Sequence, residues 1–540
     1  MNQSSNISLK EIFTINKTFV CVLLIMSFFN LTISAQDEKE YPYDLSEKPK
    51  GNGTDIMPYE ISNVYNLLWI AKNVNSGNEL KNMHFLQTND IDLSIAKDWC
   101  NGEGWMPIGG YFYYSGIMMK YGFKGLYDGD GFTIRNLYIN RPDYEYQGLF
   151  GYVSSCEIAN LHIDNAEVEG LENVGGLTAY AYMADIIGCS VKNCNIKATD
   201  FYVGGIAGYQ DSGIITDCIV EGTISGKDYV GGIVSWINEG KVANCVTMGS
   251  VEGLRGEYSN ARLTGGTACY TLRSEIDRCI SMASVSGDEK VGGLIGAVSA
   301  SKVTRSSVIS PYVKGLIYVG GLVGENDNSI IEDCFARTMV TGSQDVGGLI
   351  GSSSYMDSRV TRCYAASEVI AEDESVMGGL IGIKSTGIVS SCYWDTNVTG
   401  DIDGVGGFYH EDIQCDGKTT AELKDKKTYV GWDFDKVWMI QEDFNDGYPI
   451  LKESNYNILG IENIKYDENE SIQILDGTLY VHSIVGILNI RIISVSGKIL
   501  KNKVINGNDA IFNINALPVG IYIVKADMKN GECKTIKFKI

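Results

Sequence analysis

Paired carboxylates are the first place to look for chemistry, and the chain holds one tight pair, Asp128 and Asp130, in a DGDG run at 128–131. Two carboxylates two residues apart could share acid–base work or hold Ca2+. The same run is also a Gly-rich turn, and the turn is the expected reading. A second acidic run, DTNVTGDIDG at 395–404, places Asp395, Asn397, Asp401 and Asp403 at spacings near those of a calcium loop. The Glu that such a loop needs at its twelfth position is Gly406 here, so the motif fails and only a loose Ca2+ candidate remains. The four histidines, His84, His162, His410 and His482, are scattered. There is no HExxH, no GxSxG and no phosphate-binding loop. No catalytic residue and no cofactor beyond that Ca2+ candidate is assigned.

Two other sets of residues recur at a fixed spacing. Tyr152, Tyr180, Tyr209, Trp236 and Tyr270 each stand four residues after the second glycine of a recurring Gly-Gly pair. The next copies put Ala297, Glu325, Ser352 and Ile383 there. If inward and outward positions alternate, this column points outward. It is then a candidate ligand platform, or a stacking ladder that stabilises its scaffold. Cys189, Cys218, Cys245, Cys279, Cys334 and Cys392 lie 14 residues after the first glycine, and Cys363 lies 16 after. Leu161 and Ser306 take that place in two other copies. Neither could replace a metal ligand or a disulfide partner, but both could replace a small buried residue, so a structural cysteine ladder is expected. No CxxC pair points to zinc.

The element that positions both columns is a repeat. The Gly-Gly pair returns nine times, with first glycines at 175, 204, 231, 265, 292, 320, 347, 378 and 406, a period near 28. QGLFGY at 147–152 is an earlier, degenerate copy. In one copy, VGGLIGS, SRVTRCYA and SEVIAE are three short apolar runs divided by polar or Gly-rich corners. Three short strands per period describe one coil of a parallel β-solenoid, each strand pairing with its copy in the next coil. The expected fold is all-β: about ten coils with short capping helices, then a small antiparallel β-sandwich. At about 4.8 Å per rung such a stack is about 45–50 Å long. The glycines fit corners where crowding or positive φ excludes Cβ.

The chain has 540 residues, 62 of them Gly and only 8 Pro, and a net charge of −23. An acidic surface argues against nucleic acid. Residues 1–35 read as a signal peptide, with Lys10 and Lys17 before an apolar run and Ile33-Ser34-Ala35 at the cleavage site. No other segment could cross a bilayer as a helix. Residues 36–55 form a linker, 56–145 an N-terminal cap and first coils, 146–410 the repeats, and 411–457 a C-terminal cap. Ser62-Asn63 opens a helical pattern with Val64, Leu67, Leu68 and Ala71 on one face. A short helix is expected in TTAELKDKK at 419–427. GWDFDKVW at 431–438 and DGYPIL at 446–451 are expected to seal the far end.

The repeat resembles the GLUG-repeat proteins, on Gly293-Leu294-Ile295-Gly296, Gly321-Leu322-Val323-Gly324, Gly348-Leu349-Ile350-Gly351 and Gly379-Leu380-Ile381-Gly382. Flanking segments agree: LQTNDIDLS at 86–94, WMPIG at 105–109, FKGLYDGDGFTIRNL at 123–137, YWD at 393–395 and WDFDKVW at 432–438. The copies at 174–180 and 264–270 depart from it, with Ala179 and Cys269 in place of the last glycine. The resemblance implies a bacterial surface or secreted solenoid and no defined reaction. Residues 458–540 show alternating strands, LYVHSIV, NIRIISVSGKIL, DAIFNI, GIYIVKADMK and TIKFKI, with turns expected at Ser496-Gly497, Asn506-Gly507 and Asn530-Gly531. This tail resembles the C-terminal sorting domain of the type IX secretion system of Bacteroidetes, through VSGKIL, NINALPVGIYIVKA and KFKI. That implies the type IX machinery as a partner and a destination outside the outer membrane of a Gram-negative cell.

The function expected is an exported adhesion or binding module without catalysis, for glycans or host protein, with Tyr152, Tyr180, Tyr209, Trp236 and Tyr270 as its ligand face. A polysaccharide lyase or glycoside hydrolase on the same scaffold is the rival, and a passive surface spacer the third reading.

Overall fold

A computed structural model describes residues 42–540, except 115–116, 255–261, 372–375, 409–412, 442–444, 453–469, 476–477, 495–498, 514–520, 530–532 and 540. The export signal, His410 and the turns at Ser496-Gly497 and Asn530-Gly531 lie outside the described residues. The chain divides into two compact units, one ending at Ser454 and one beginning at Asn455.

The first unit is a right-to-the-core stack of parallel strands. Ile158 pairs with Ile186, Ile186 with Ile215 and Ile215 with Val242. The column continues through Ile276, Val303, Ile331, Val360 and Val389. All of these side chains are buried. Branched apolar residues stacked at every rung are what a two-sided, water-free parallel sheet selects. The stack has about twelve turns, not about ten. The extra turns come before Tyr152, where Tyr59, Phe85, Tyr127 and Ile158 stack in register without a Gly-Gly pair.

The glycine pairs answer to crowding. A Cβ on Gly292 would lie 1.9 Å from the Ile295 carbonyl oxygen, and one on Gly293 would lie 2.2 Å from the Gly321 carbonyl oxygen of the next rung. Positive φ is borne instead by ordinary residues at the corners. The residue before Val-Gly-Gly is one such place in six copies: Asn173 (φ 52°), Tyr202 (58°), Tyr229 (56°), Lys290 (48°), Tyr318 (55°) and Asp345 (54°). A second corner precedes the ladder position, at Asp217, Asn244, Arg278, Asp333 and Arg362 before cysteines and at Arg305 before Ser306. Each costs on the order of 1 kcal/mol for a residue with a Cβ, and the rung-to-rung hydrogen bonds hold it in place.

Helix Val64–Asn75 closes the amino end. Asn63 caps it by accepting from the Asn66 amide at 3.0 Å, and Leu67, Ile70, Ala71 and Val74 enter the solenoid core. After the last coil, Thr420–Leu423 forms a short helix with a reciprocal capping box between Thr419 and Glu422. The segment expected to seal the far end lies along the side of the last coils instead. Trp438 donates from Nε1 to Asp333 at 3.0 Å, Tyr364 donates to the Pro449 carbonyl at 2.7 Å, and Trp432 donates to the Ser391 carbonyl at 3.1 Å. The reason is a run of rings next to the cysteines, Phe335, Tyr364 and Tyr393, in register on successive rungs. They present an apolar strip that needs a cover.

In the second unit, five strands pair antiparallel. Thr478–Ser494 and Ile499–Asn513 are long, and the expected turn at Asn506-Gly507 is a point inside the second of them. The ladder shifts register between His482 and Ile487 across from it. A bulge therefore does there what a chain reversal was expected to do.

Candidate functional site

The scaffold brings the five column residues together. Tyr152 pairs with Tyr180, Tyr180 with Tyr209, Tyr209 with Trp236 and Trp236 with Tyr270, each on its own rung. Ring centroids along the column are 5.6, 4.9, 6.0 and 4.3 Å apart. In the middle the rings are flat on one another, with interplanar angles of 3° and 9°. Flat stacking at the rung distance covers both faces of Tyr209. The solvent therefore meets ring edges and hydroxyls there. At the two ends the rings tilt apart, by 45° between Tyr152 and Tyr180 and by 42° between Trp236 and Tyr270.

A second aromatic column, which sequence reasoning missed, braces the first. Tyr202 and Tyr229 stack at 5.1 Å. Tyr202 meets Tyr209 and Trp236 edge to face, at 5.7 and 5.9 Å. Both tyrosines sit at the left-handed corner just before Val-Gly-Gly. Reading the residue before each repeat would have found them: Tyr146, Tyr202, Tyr229 and Tyr318. Burial pushes the phenols of Tyr180, Tyr202 and Tyr209 up, and that of Tyr229 to about 12, so all keep their protons at neutral pH.

A hairpin not foreseen in the sequence, Gly110–Tyr114 paired with Ile117–Tyr121, reaches the first end of the column. Its Lys120 ammonium lies 3.8 Å from the centroid of Tyr152, 4.8 Å from Tyr180 and 5.1 Å from Tyr111.

The seven ladder cysteines are all buried in the solenoid core. Each thiol donates to the carbonyl two residues before it: Cys218 to Thr216 at 3.2 Å, Cys245 to Ala243 at 3.2 Å, Cys363 to Thr361 at 3.3 Å. Ser306 makes the same bond, to Thr304 at 2.8 Å, which is why it substitutes. Burial raises the thiols of Cys189, Cys245, Cys363 and Cys392 well above the usual range, so they stay neutral and unreactive.

The acidic candidates are engaged elsewhere. Asp128 accepts from the Asp130 amide at 2.9 Å and from Asn160 at 3.1 Å, a turn clasp. Asp395 caps helix Thr396–Thr399, accepting from the Asn397 amide at 2.9 Å, and also takes hydroxyls from Thr420 and Tyr448. Asn397 accepts from the Thr420 amide. The loop at 395–404 is therefore a helix cap and a strut in which Asp395 and Asn397 are already spent. Among the described residues no group of three or more His, Cys, Asp or Glu is placed to hold a metal ion. His84 lies 4.0 Å from Asp55, and His162 lies 2.9 Å from the Ser190 hydroxyl. Desolvation and Lys192 lower His162. Downstream of Tyr270 the outward column changes character: Lys290 and Glu325 form an ion pair at 2.7 Å.

The fold and this flank define a β-solenoid whose outer face varies while its inner ladders hold. The comparisons place it more closely. A model of the GLUG motif matches residues 199–225 and 315–338, and a model of the secretion system C-terminal sorting domain matches 461–540. The chain is thus exported by a type IX route to the cell surface, and among the described residues no helix is long and apolar enough to cross a membrane. It is similar to a provisionally named Gly-rich membrane protein of Evansella cellulosilytica, 29% identical over 469 residues, which cover 80% of this chain and 48% of that protein. It is also similar to Halomucin of Haloquadratum walsbyi, 30% identical over 164 residues, 29% of this chain and 2% of that one. The chain spans about half the length of the first relative and a small part of the second. Among solved structures it is similar to a provisionally named immunoglobulin A1 protease of Bacteroides ovatus, with TM-score 0.32, 17% identity, and coverage of 76% of this chain and 95% of that one. A structure described as IgA1 Protease gives TM-score 0.33 at 12% identity, covering 88% of this chain and 34% of that one.

Proposed function

We propose that the protein is a cell-surface adhesion or binding module that acts without catalysis, and that its ligand face is the aromatic flank from Tyr152 to Tyr270. The observation that carries this reading is the five-rung aromatic column, in which Tyr152 is buried and not outward as expected, while the rings of Tyr180, Tyr209, Trp236 and Tyr270 are half-buried; a second column braces it, and it stops after Tyr270. Rigid rings bury area at little cost in side-chain entropy, which is what a contact surface needs. A glycan or a protein of another cell's surface would meet a row of hydroxyls and ring edges repeated at the rung distance. The test is an array of glycans and surface proteins, probed with the full chain and with the Tyr209→Ala/Trp236→Ala double variant. The expected result is a ligand held by the first and lost by the second. Equal binding by both removes the flank from the account, and release of reducing ends from any polysaccharide overturns the non-catalytic reading.

A further inference from the structure

A groove of about 780 Å3 runs along the stack, three residues beyond the aromatic column on each strand, at Glu239 after Trp236 and at Arg273 after Tyr270. That size is ordinary for a ligand site, about 300–1,000 Å3. One wall is a register column on five successive rungs, Ile214, Lys241, Glu275, Lys302 and Ile330. At about 4.8 Å a rung it is about 19 Å long. The other wall is a corner column, Glu239, Arg273, Ala300 and Asn328, with left-handed φ of 51°, 47°, 47° and 51°.

The floor between the walls is low. Gly240, Ser274 and Ser301 lie there, and the two hydroxyls turn inward. Ser274 donates to the Leu272 carbonyl at 2.7 Å and Ser301 to the Ser299 carbonyl at 2.8 Å. Each also accepts an amide of the rung before, Gly240 at 3.2 Å and Ser274 at 3.1 Å. The walls are braced by ion pairs within them, Lys241 with Glu275 at 3.2 Å and Arg273 with Glu239 at 2.8 Å. Ala300, exposed and small, leaves a gap in the corner wall between Arg273 and Asn328.

The charges of the groove cancel. Lys241, Arg273 and Lys302 face Glu239, Glu275 and Asp357. A balanced set gives an ion of either sign no net attraction. It does give a hydroxyl group a partner on every side, because a hydroxyl both donates and accepts, whereas Lys and Arg only donate and carboxylates only accept. Such bonds are strong because one member is charged. Ile214 and Ile330, 38% and 36% exposed, add apolar surface at the two ends of the first wall. Donors and acceptors alternating at the rung distance, with apolar ends, suit a chain of rings that carry hydroxyl edges and C–H faces.

We propose that this groove binds a neutral oligosaccharide lying along the stack, with its hydroxyls shared between the two walls. The site is distinct from the aromatic flank and stands whether or not the flank holds a ligand. A neutral glycan is favoured over a charged polymer by the balance of charge. It is favoured over an extended peptide because the strands carrying Lys241, Glu275 and Lys302 are each paired on both sides, which leaves no edge for an added strand.

The test uses the full chain on immobilised glucan, mannan, xylan and galactan, with polygalacturonate and chitosan as the charged probes. At least one neutral glycan should hold the chain, and equally well at low and high salt. Ala300→Arg and Ala300→Glu each fill the gap in the corner wall. Both should fold, since Arg273 and Glu239 occupy the same corner at φ of 47° and 51°, and both should melt within about 2 °C of the parent. Each should lose at least about tenfold in affinity for the neutral glycan. Retention of no neutral glycan overturns the proposal, as does tighter capture of polygalacturonate or chitosan. Full binding by both variants overturns it too, and loss with only one sign of charge shows a charged ligand and does the same. Loss in Tyr209→Ala/Trp236→Ala with binding kept in both Ala300 variants leaves the flank standing and removes the groove. The reverse pattern keeps the groove and removes the flank for that glycan.

Discussion

The coils from Tyr152 to Tyr270 and those from Val291 to Gly382 share one backbone and differ at two columns. In the first region the last glycine of the motif is replaced by Ala179, Ser235 and Cys269, and the outward place holds rings. In the second the glycine is kept at Gly296, Gly324, Gly351 and Gly382, and the column holds Ala297, Glu325, Ser352 and Ile383, of which Ala297 and Ser352 are buried. The difference is one of slack. A Cβ on Gly351 would stand 2.4 Å from the Tyr318 carbonyl carbon, and one on Gly324 would stand 2.5 Å from backbone on two sides. In three of the five ring coils a Cβ is present and accommodated, and Ser235 Oγ even reaches the Tyr229 carbonyl and the Cys269 sulfur. Gly151 and Gly208 show that rings do not require the replacement. The inner columns are thus constrained by backbone contact and the outer ones by little but their neighbours. The outer ones are where function can vary.

The sharpest way to break this comparison is to load an inner column. Gly292→Ala puts a Cβ 1.9 Å from the Ile295 carbonyl oxygen, which must move. A loss of more than about 3 kcal/mol is expected, read from urea unfolding. Tolerance of this change would mean the corner is softer than its geometry says. An outer-column change in the ring region should cost less. Trp236→Ala removes a ring packed by Tyr202, Tyr209, Tyr229 and Tyr270, and a loss of about 2–3 kcal/mol is expected for a ring that is only half-buried.

The same column position one region later should matter least. Glu325→Ala breaks the ion pair with Lys290, whose side chain is 31% exposed against 22% for Glu325. Water competes for both groups, and a cost under about 1 kcal/mol is expected, smaller again at high salt. If Glu325→Ala cost as much as Trp236→Ala, the two regions would not differ in the way described.

The inner columns were legible in the sequence because burial and backbone crowding leave few residue types. The ladder position beside the Cys218 corner is closed to water and takes a thiol in most coils, with only Ser306 and Leu161 as exceptions, so the letters repeat. Gly-Gly repeats for the same reason. The capping helix was legible from Asn63 and its apolar stripe, and the first aromatic column from its spacing. Three things were not. The second column, at Tyr202 and Tyr229, sits on a corner where Tyr alternates with Asn173, Lys290 and Asp345, so the recurrence of Tyr is broken and easily passed over. The Lys120 hairpin is an insertion outside the period. The course of Trp432 and Trp438 along the side of the stack depends on Phe335, Tyr364 and Tyr393 lining up three-dimensionally, and those rings belong to coils whose other copies carry Ser190, Val246 and Ser307.

Asp345 offers the finest probe of the two regions, because it takes the corner that Tyr202 and Tyr229 take upstream. Its carboxyl is nearly out of solvent, 3% exposed, and Gln344 donates to it at 3.0 Å. Desolvation raises its pKa, and the Gln344 bond offsets only part of that. The folded state therefore binds this proton more tightly than the unfolded chain does. The penalty is present above the folded value, where the carboxylate must be buried, and fades as pH falls toward the unfolded value of about 3.9. Asp345→Asn removes the charge and can still accept from Gln344. The variant should melt higher than the parent at pH 7 and level with it near about pH 3, below the ordinary carboxylate range. A difference in melting temperature that is the same at both pH values would show that the corner responds to the amide itself, and that burial of charge is not what sets this coil apart from its aromatic counterparts.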